Sequence, residues 1–287
     1  MTETPAPTIV AVPDGDLAAA VARPGGIARL ADRIRASGAA VVAIGTDRFD
    51  AERGRGHRLD PTTAALALGR ALPTHGLLVA AAPTREHPYN VARRVLSLDH
   101  VLDARVGLVV GARDHGLPAT GEQHDPAEFA EVVRGLWRTW PLDSIVGDRE
   151  AGRFADTTRI LPLDHDGGPD GYRVRGPLTT PSSRQGEPVL AVWHDVAHEG
   201  ADLVLGGAAR PLVPLPGEAG ASGPSRASRT PTGPGAHRRT LRDLLGLPVP
   251  APGGGGGAPP PPPPGGGGGR RAGGGPPPPR AGPPGAP

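Results

Sequence analysis

The stretch THGLLVAAAPTREHPYNVARRVLSLDH, residues 74–100, decides the fold class. A run of branched and small apolar residues, Leu77–Ala82, stops at Pro83. After a short polar hinge, Pro88-Tyr89 opens a segment in which Val91, Val95 and Leu98 recur at i, i+4 and i+7. The first run is short and uniformly apolar, as in a strand buried on both faces. The second has the period of a helix with one apolar stripe. Strand and helix are joined at a point where the chain turns over the carboxyl end of the strand.

The same alternation recurs in both directions. Strands are expected at Thr8–Val12, Ala39–Ile44, Val106–Val110, Pro188–Trp193 and Leu203–Leu205, and a short one near Tyr172–Val174. Helices are expected at Ile27–Ala36, Thr62–Leu72 and from Pro88 to Val101. The clearest begins at Asp125, with Pro126 in its first turn and Glu128 where a capping box places an acid. Phe129, Val132, Val133, Leu136, Trp137 and Trp140 form its core-facing stripe. Continuous apolar strands separated by helices mean a parallel sheet with crossovers. A doubly wound sheet and a (β/α)8 barrel both satisfy the pattern. No GxGxxG or GxxxxGK[ST] follows a strand, which argues against a dinucleotide or P-loop site. In either architecture functional groups collect at the carboxyl ends of the strands.

Composition limits the rest. The chain has 287 residues with 45 Gly and 38 Pro, and from Ala251 to Pro287 only Gly, Pro, Ala and Arg occur. Such a segment has too little apolar surface to offset the entropy of ordering. Residues 208–287 are therefore expected as a disordered Pro/Gly/Arg-rich tail, with a helical remnant at 240–247 and the foldable domain at 1–207. The tail holds nine Arg against Glu218 and Asp243, so the first 207 residues are net acidic within an overall charge of +2. The tail has the charge to meet nucleic acid but no aromatic residue for stacking, and a solvated tail is the expectation. There is no cysteine, which excludes disulfides and thiolate chemistry. No signal peptide or run of about 20 apolar residues is visible, so a cytoplasmic protein with no membrane partner is expected.

Several phrases stand in the order and near the spacing of a known family: LDPTTAALALGRAL, HPYNVARRVLSLDH, DPAEFAEVVRGLWRTW, DREAGRFAD, YRVRGPL, SSRQGEPV and, late in the chain, LRDLLGLPVP. Residues 59–206 thereby resemble the bacterial luciferase-like flavin monooxygenases, in particular the nitrilotriacetate, dibenzothiophene-sulfone and long-chain alkane group. The resemblance implies a TIM-type barrel that uses reduced FMN, supplied by a separate reductase, and dioxygen to insert one oxygen atom into a small organic substrate. Only six strands are legible before Gly207, so a partial, truncated barrel is expected. Its open edges would favour a homo-oligomer.

The resemblance also transfers positions. Asp47 stands where the family has an acid near the flavin, or else it caps the turn after the second strand. Ala80 and Ala82 replace hydroxyl residues at the third strand's tip, with Thr84 nearby. Asn90 replaces a histidine that faces the flavin. Arg113, in a loop that has lost the family's asparagine and hydroxyls, could meet the phosphate. His194 and His198 follow the fifth strand in place of a Gly/Ser phosphate turn. His194, Asp195 and His198 have metal-ligand spacing, but nothing in the resemblance calls for a metal. No residue is singled out as catalytic. The alternative to an enzyme is a non-catalytic barrel fragment.

Overall fold

The computed structural model describes residues 7–52, 59–116, 124–207, 210–215 and 239–250, all within one compact unit, Met1–Gly255. Its first half runs β1 (Ile9–Val12), α1 (Asp14–Val21), α2 (Gly26–Ala36), β2 (Val41–Ile44), α3 (Pro61–Ala71), β3 (Gly76–Ala81), α4 (Pro88–Val101) and β4 (Val106–Val110). After α5 (Pro126–Trp137) come two small hairpins, β5 (Ile145–Asp148) with β6 (Arg153–Ala155) and β7 (His165–Asp166) with β8 (Arg173–Val174). Then follow β9 (Val189–Trp193), β10 (Leu203–Leu205), β11 (Val213–Pro214) and α6 (Leu241–Leu245).

Seven of these strands form one parallel sheet in the order β10-β9-β4-β3-β2-β1-β11. The sheet curls into a half-barrel, which resolves the choice that periodicity left open. Phe49, just beyond β2, meets Trp193 at the end of β9 with ring centroids 5.4 Å apart, although two strands lie between β2 and β9. Such a contact across one face requires strong curvature.

Alternation along each strand explains why the runs are apolar throughout. Val10, Val42, Ile44, Leu77, Val79, Leu108 and Val192 face outward and pack with α1–α5. Ile9, Val41, Ala43, Leu78, Ala80, Val109 and Ala191 face the concavity. There they meet Leu241 and Leu245 of α6, which closes the amino-terminal end of the half-barrel. The Leu241 N–H donates to the Ala104 carbonyl at 2.9 Å. A Cβ on Gly76 or Gly107 would lie 2.4 or 2.9 Å from Leu241 methyls, so the strands carry glycine where α6 docks.

Several local expectations change. α1 was not legible, because Asp14-Gly-Asp in its first turn reads as loop. Two pieces beyond Gly207, the expected domain boundary, pack onto the same unit. Val213–Pro214 pairs with β1 as a seventh strand, and α6 occupies the expected helical remnant. Residues 216–238 and 251–287, the bulk of the expected tail, lie outside the described residues. Asp125 caps α5 by accepting the Ala127 N–H at 2.9 Å. Glu128 does not turn back to close a capping box. It accepts instead from the Tyr172 N–H at 2.9 Å and pairs with His165 at 2.8 Å, holding the β7–β8 hairpin. Trp137 is fully buried and donates to the Ala92 carbonyl at 3.0 Å, while Trp140 lies past the helix end.

Candidate functional site

The carboxyl ends of β1–β4 and β9 form the rim of the half-barrel, and glycine shapes it first. Gly45 (φ 81°) ends β2 in the left-handed region and starts a 3-10 turn, Thr46–Phe49. A Cβ there would sit 3.4 Å from that of Ala80, so any side chain at this position would be strained in conformation and tight in space. The turn delivers two consecutive side chains inward, Arg48 and Phe49.

Arg48 is buried to 2% exposure and carries the charge organisation of the rim. Its Nε donates to Asp14 Oδ2 at 2.7 Å, its Nη1 lies 3.6 Å from Asp114 Oδ2, and its Nη2 donates to the Leu59 carbonyl. Asp114 also receives Arg85 Nη1 at 3.3 Å, and Arg85 reaches Asp60 at 3.7 Å. The loops after β1, β2, β3 and β4 are thus tied together by one ionic network. Removing one partner from so buried a pair leaves an uncompensated charge, a loss of about 3–5 kcal/mol.

Beside this network lies a buried apolar cluster. Phe49 lies on Gly111, where a Cβ would fall 2.3 Å from the ring, and against Trp193. Ala80 and Ala82 join the same cluster. Trp193 is half-buried and offers part of its indole at the rim, beside the exposed His194 at 5.6 Å between centroids.

The six positions transferred by resemblance meet different fates. Ala80 and Ala82 come together on the concave face, next to Trp193. Asp47 Oδ2 accepts the Asp14 N–H at 3.1 Å, a bond to the start of α1 and not within its own turn, where no side chain caps. Thr84, the nearby hydroxyl, accepts the Asp114 N–H at 3.2 Å. Asn90 is exposed in the first turn of α4, and Arg113 is half-buried in the loop after β4. His194 packs over Gly206 and Gly207, whereas His198 lies beside Arg134 of α5. Burial first, then Arg134, holds the His198 imidazole below its ordinary pKa. Arg48, Asp14, Asp114, Phe49 and Trp193 were not singled out by sequence reasoning. In TDRFD, Arg48 reads as a surface charge, because its partners lie on other loops.

Parts of three motif phrases, and Asp99 of a fourth, gather at the opposite end of the strands. Asp99 of LSLDH is fully buried and accepts from the Val106 N–H at 2.8 Å, Gln185 Nε2 at 2.9 Å and the Ser183 hydroxyl. Burial raises its carboxyl to about 6, although those three bonds, Ser183 first, pull it down. Glu187 takes both nitrogens of Arg138, Nε at 2.7 Å and Nη2 at 3.1 Å, and lies 3.2 Å from Arg134 Nε. Arg134 and Arg242 both reach Asp202. SSRQGEPV, EVVRGLWRTW and LRDLLGLPVP thus meet in one buried polar cluster below β4, β9 and β10.

Comparison with known proteins finds relatives of this chain. The chain is 33% identical over 144 residues to the N-acetyl-S-(2-succino)cysteine monooxygenase of Bacillus subtilis (strain 168). It is 36% identical over 143 residues to the dibenzothiophene-sulfone monooxygenase of Rhodococcus erythropolis. The chain is a diverged relative of the luciferase-like monooxygenases. A third relative, one of the subunits of the pristinamycin IIA synthase of Streptomyces pristinaespiralis, is 34% identical over 175 residues, 56% of this chain and 61% of that protein. The first two alignments each take in 46% of this chain, and 32% and 31% of those proteins. The chain therefore spans about a third of two of these relatives and under two thirds of the other. No family model matches it. Among solved structures, a riboflavin lyase with modified FMN and riboflavin superposes with a TM-score of 0.54 at 25% identity, covering 71% of this chain and 55% of that one. A long-chain alkane monooxygenase does so at 0.50 and 22%, covering 62% and 48%, and agrees in fold.

Proposed function

We propose that this luciferase-like chain acts as an FMN-dependent oxidoreductase that incorporates one atom of dioxygen into a small organic substrate. The observation that carries the reading is the apolar bed of Ala80, Ala82 and Trp193 at the carboxyl rim, in a chain whose relatives are named monooxygenases. An isoalloxazine needs a flat apolar surface and a phosphate needs a cation. Ala80 and Ala82 are themselves buried, so the half-buried Trp193 is the member of the bed that offers a ring its surface, and Arg113 is the rim cation assigned to the phosphate. The hydroxyl donors for the ring edge are absent at Ala80 and Ala82, so ring contacts here rest on packing. Reduced FMN supplies the electrons that activate dioxygen. The chain's own share is to seat the ring on Trp193, hold the loops through Arg48, and keep water from the bed with Phe49.

A separate reductase is the proposed source of reduced flavin. One relative, 33% identical over 156 residues, is named as component A of the nitrilotriacetate monooxygenase of Aminobacter aminovorans, which supports a multi-component system. No helix among the described residues is long and apolar enough to cross a membrane; a cytoplasmic setting is proposed. The sheet's outer strands β10 and β11 expose Val204 and Val213, where pairing with a second copy is proposed.

Titration of FMN with the full chain, followed by quenching of flavin fluorescence, tests the reading. Binding is expected to weaken in Trp193→Ala and Arg113→Ala. Oxygen uptake with reduced FMN should follow binding. Absence of binding at high micromolar FMN would overturn the proposal, and binding without uptake would leave a non-catalytic barrel fragment.

A further inference from the structure

A second concavity lies away from the rim bed, between α1 and α2 beside the ends of β1 and β11. It is a cleft of about 310 Å³, in the size range of small-ligand sites. Arg23, Arg29 and Arg33 line it with Asp16, and Leu30 and Leu215 supply apolar wall. None of Ala80, Ala82 or Trp193 takes part.

The charge in this cleft is uneven. Arg33 Nη2 meets Asp16 at 2.9 Å, so that pair is compensated locally. Arg29 stands one turn earlier on the same face of α2 and donates one nitrogen to the Pro24 carbonyl at 3.1 Å, which leaves further donors of its fork. Arg23, in the connection between the helices, is exposed. The lining is therefore cationic in a domain whose first 207 residues are net acidic. The walls are set by backbone: a Cβ on Gly26 would lie 2.1 Å from the Ala20 carbonyl oxygen, so the two helices touch at that point.

We infer that this cleft binds a small organic phosphate, its phosphate held by Arg23 and Arg29 and its apolar body set on Leu30 and Leu215. A guanidinium fork matches phosphate oxygens in pairs, and Arg23 and Arg29 both line this cleft together with Leu30 and Leu215. The segment that follows Leu215 is an unsuitable occupant by charge, since residues 216–238 carry Arg226, Arg229 and Arg238 against Glu218 alone. This inference is independent of flavin binding.

Isothermal titration of the full chain with phenyl phosphate, and separately with inorganic phosphate, tests it. Phenyl phosphate is expected to bind with one-to-one stoichiometry and more tightly than inorganic phosphate. The Arg23→Ala/Arg29→Ala double variant should weaken it by about tenfold or more with an unchanged circular dichroism spectrum. Arg149→Ala, on the exposed β5–β6 hairpin, should leave it unchanged. Three results would each overturn the inference: no binding of phenyl phosphate, equal binding of the two anions, or an equal loss in Arg149→Ala.

Discussion

Arg242 of α6 and Asp202 at the foot of β10 meet through two bonds, Nη2 to Oδ2 at 3.0 Å and Nη1 to Oδ1 at 3.3 Å. Arg242 is 1% exposed, and its Nε and Nη1 also donate to the carbonyls of Glu187 and Pro248. One side chain therefore fastens the end of the described chain to β9 and β10. Arg242→Met should destabilise the protein by about 3 kcal/mol, because Asp202 loses a buried partner and two carbonyls lose a donor. The thermal midpoint should fall by about 6–12 °C in a circular dichroism melt. An unchanged midpoint would mean that α6 does not hold the half-barrel closed.

Phe49 and Gly111 form a matched pair at the rim. Gly111→Ala places a methyl 2.3 Å from the Phe49 ring and should destabilise by about 1–3 kcal/mol through overpacking. Phe49→Leu narrows the opposing side chain, so Gly111→Ala should cost less in that background. Urea unfolding of the four proteins of this cycle measures the coupling, and additive effects would contradict the contact.

His87 caps α4 by accepting the Tyr89 N–H on Nδ1 at 3.3 Å, with its ring edge-on to Tyr172. A protonated Nδ1 cannot accept, and its charge would face the positive end of the helix. Burial, then the neighbouring His124, holds this imidazole below its ordinary pKa. The unfolded chain therefore takes up the proton first. The contribution of His87 is complete above the unfolded value of about 6.5 and is lost as pH falls through the lower folded value. Amide exchange at Tyr89–Val91 should accelerate as pH falls below the unfolded value of about 6.5, beyond the intrinsic pH effect, in the wild type. In His87→Asn, which caps without titrating, that acceleration should disappear.

Asp99 has the opposite dependence. With its carboxyl raised from 3.8 to about 6, the folded state holds a proton that the unfolded chain releases. The stability it contributes is present below the unfolded value and is lost as pH rises through about 6, at up to about 1.4 kcal/mol per pH unit. Asp99→Asn keeps an acceptor for Val106 and Gln185 and cannot ionise. Its stability relative to wild type should rise between pH 4 and pH 7, read from urea midpoints. A constant difference would show that the carboxylate is accommodated as an ion.

What could be read along the chain follows from locality. Leu77–Ala82 and Val106–Val110 declare themselves because a parallel strand buried on both faces needs apolar residues at every position. Asp125-Pro126 declares a helix start because a cap and its N–H lie two residues apart. The relatives' phrases could be read as ancestry for the same reason, since each is a short contiguous string. Asp47 could be read only as two alternatives, and its bond goes to the Asp14 N–H on another element, a partner that neither alternative names. Val213–Pro214 was hidden because two residues among Gly and Pro carry no period; they become a strand through the edge that β1 offers.

The amino-acid sequence by itself determined that apolar parallel strands alternate with capped helices, and that residues 59–206 resemble luciferase-like monooxygenases. Tertiary structure alone decided that the sheet curls, that Arg48 ties the rim loops together, and that parts of several of the family's phrases meet below the strands. The physical reason is range. Apolar period and capping act within a few residues, whereas burying an arginine or matching a ring to a glycine depends on partners brought from distant loops.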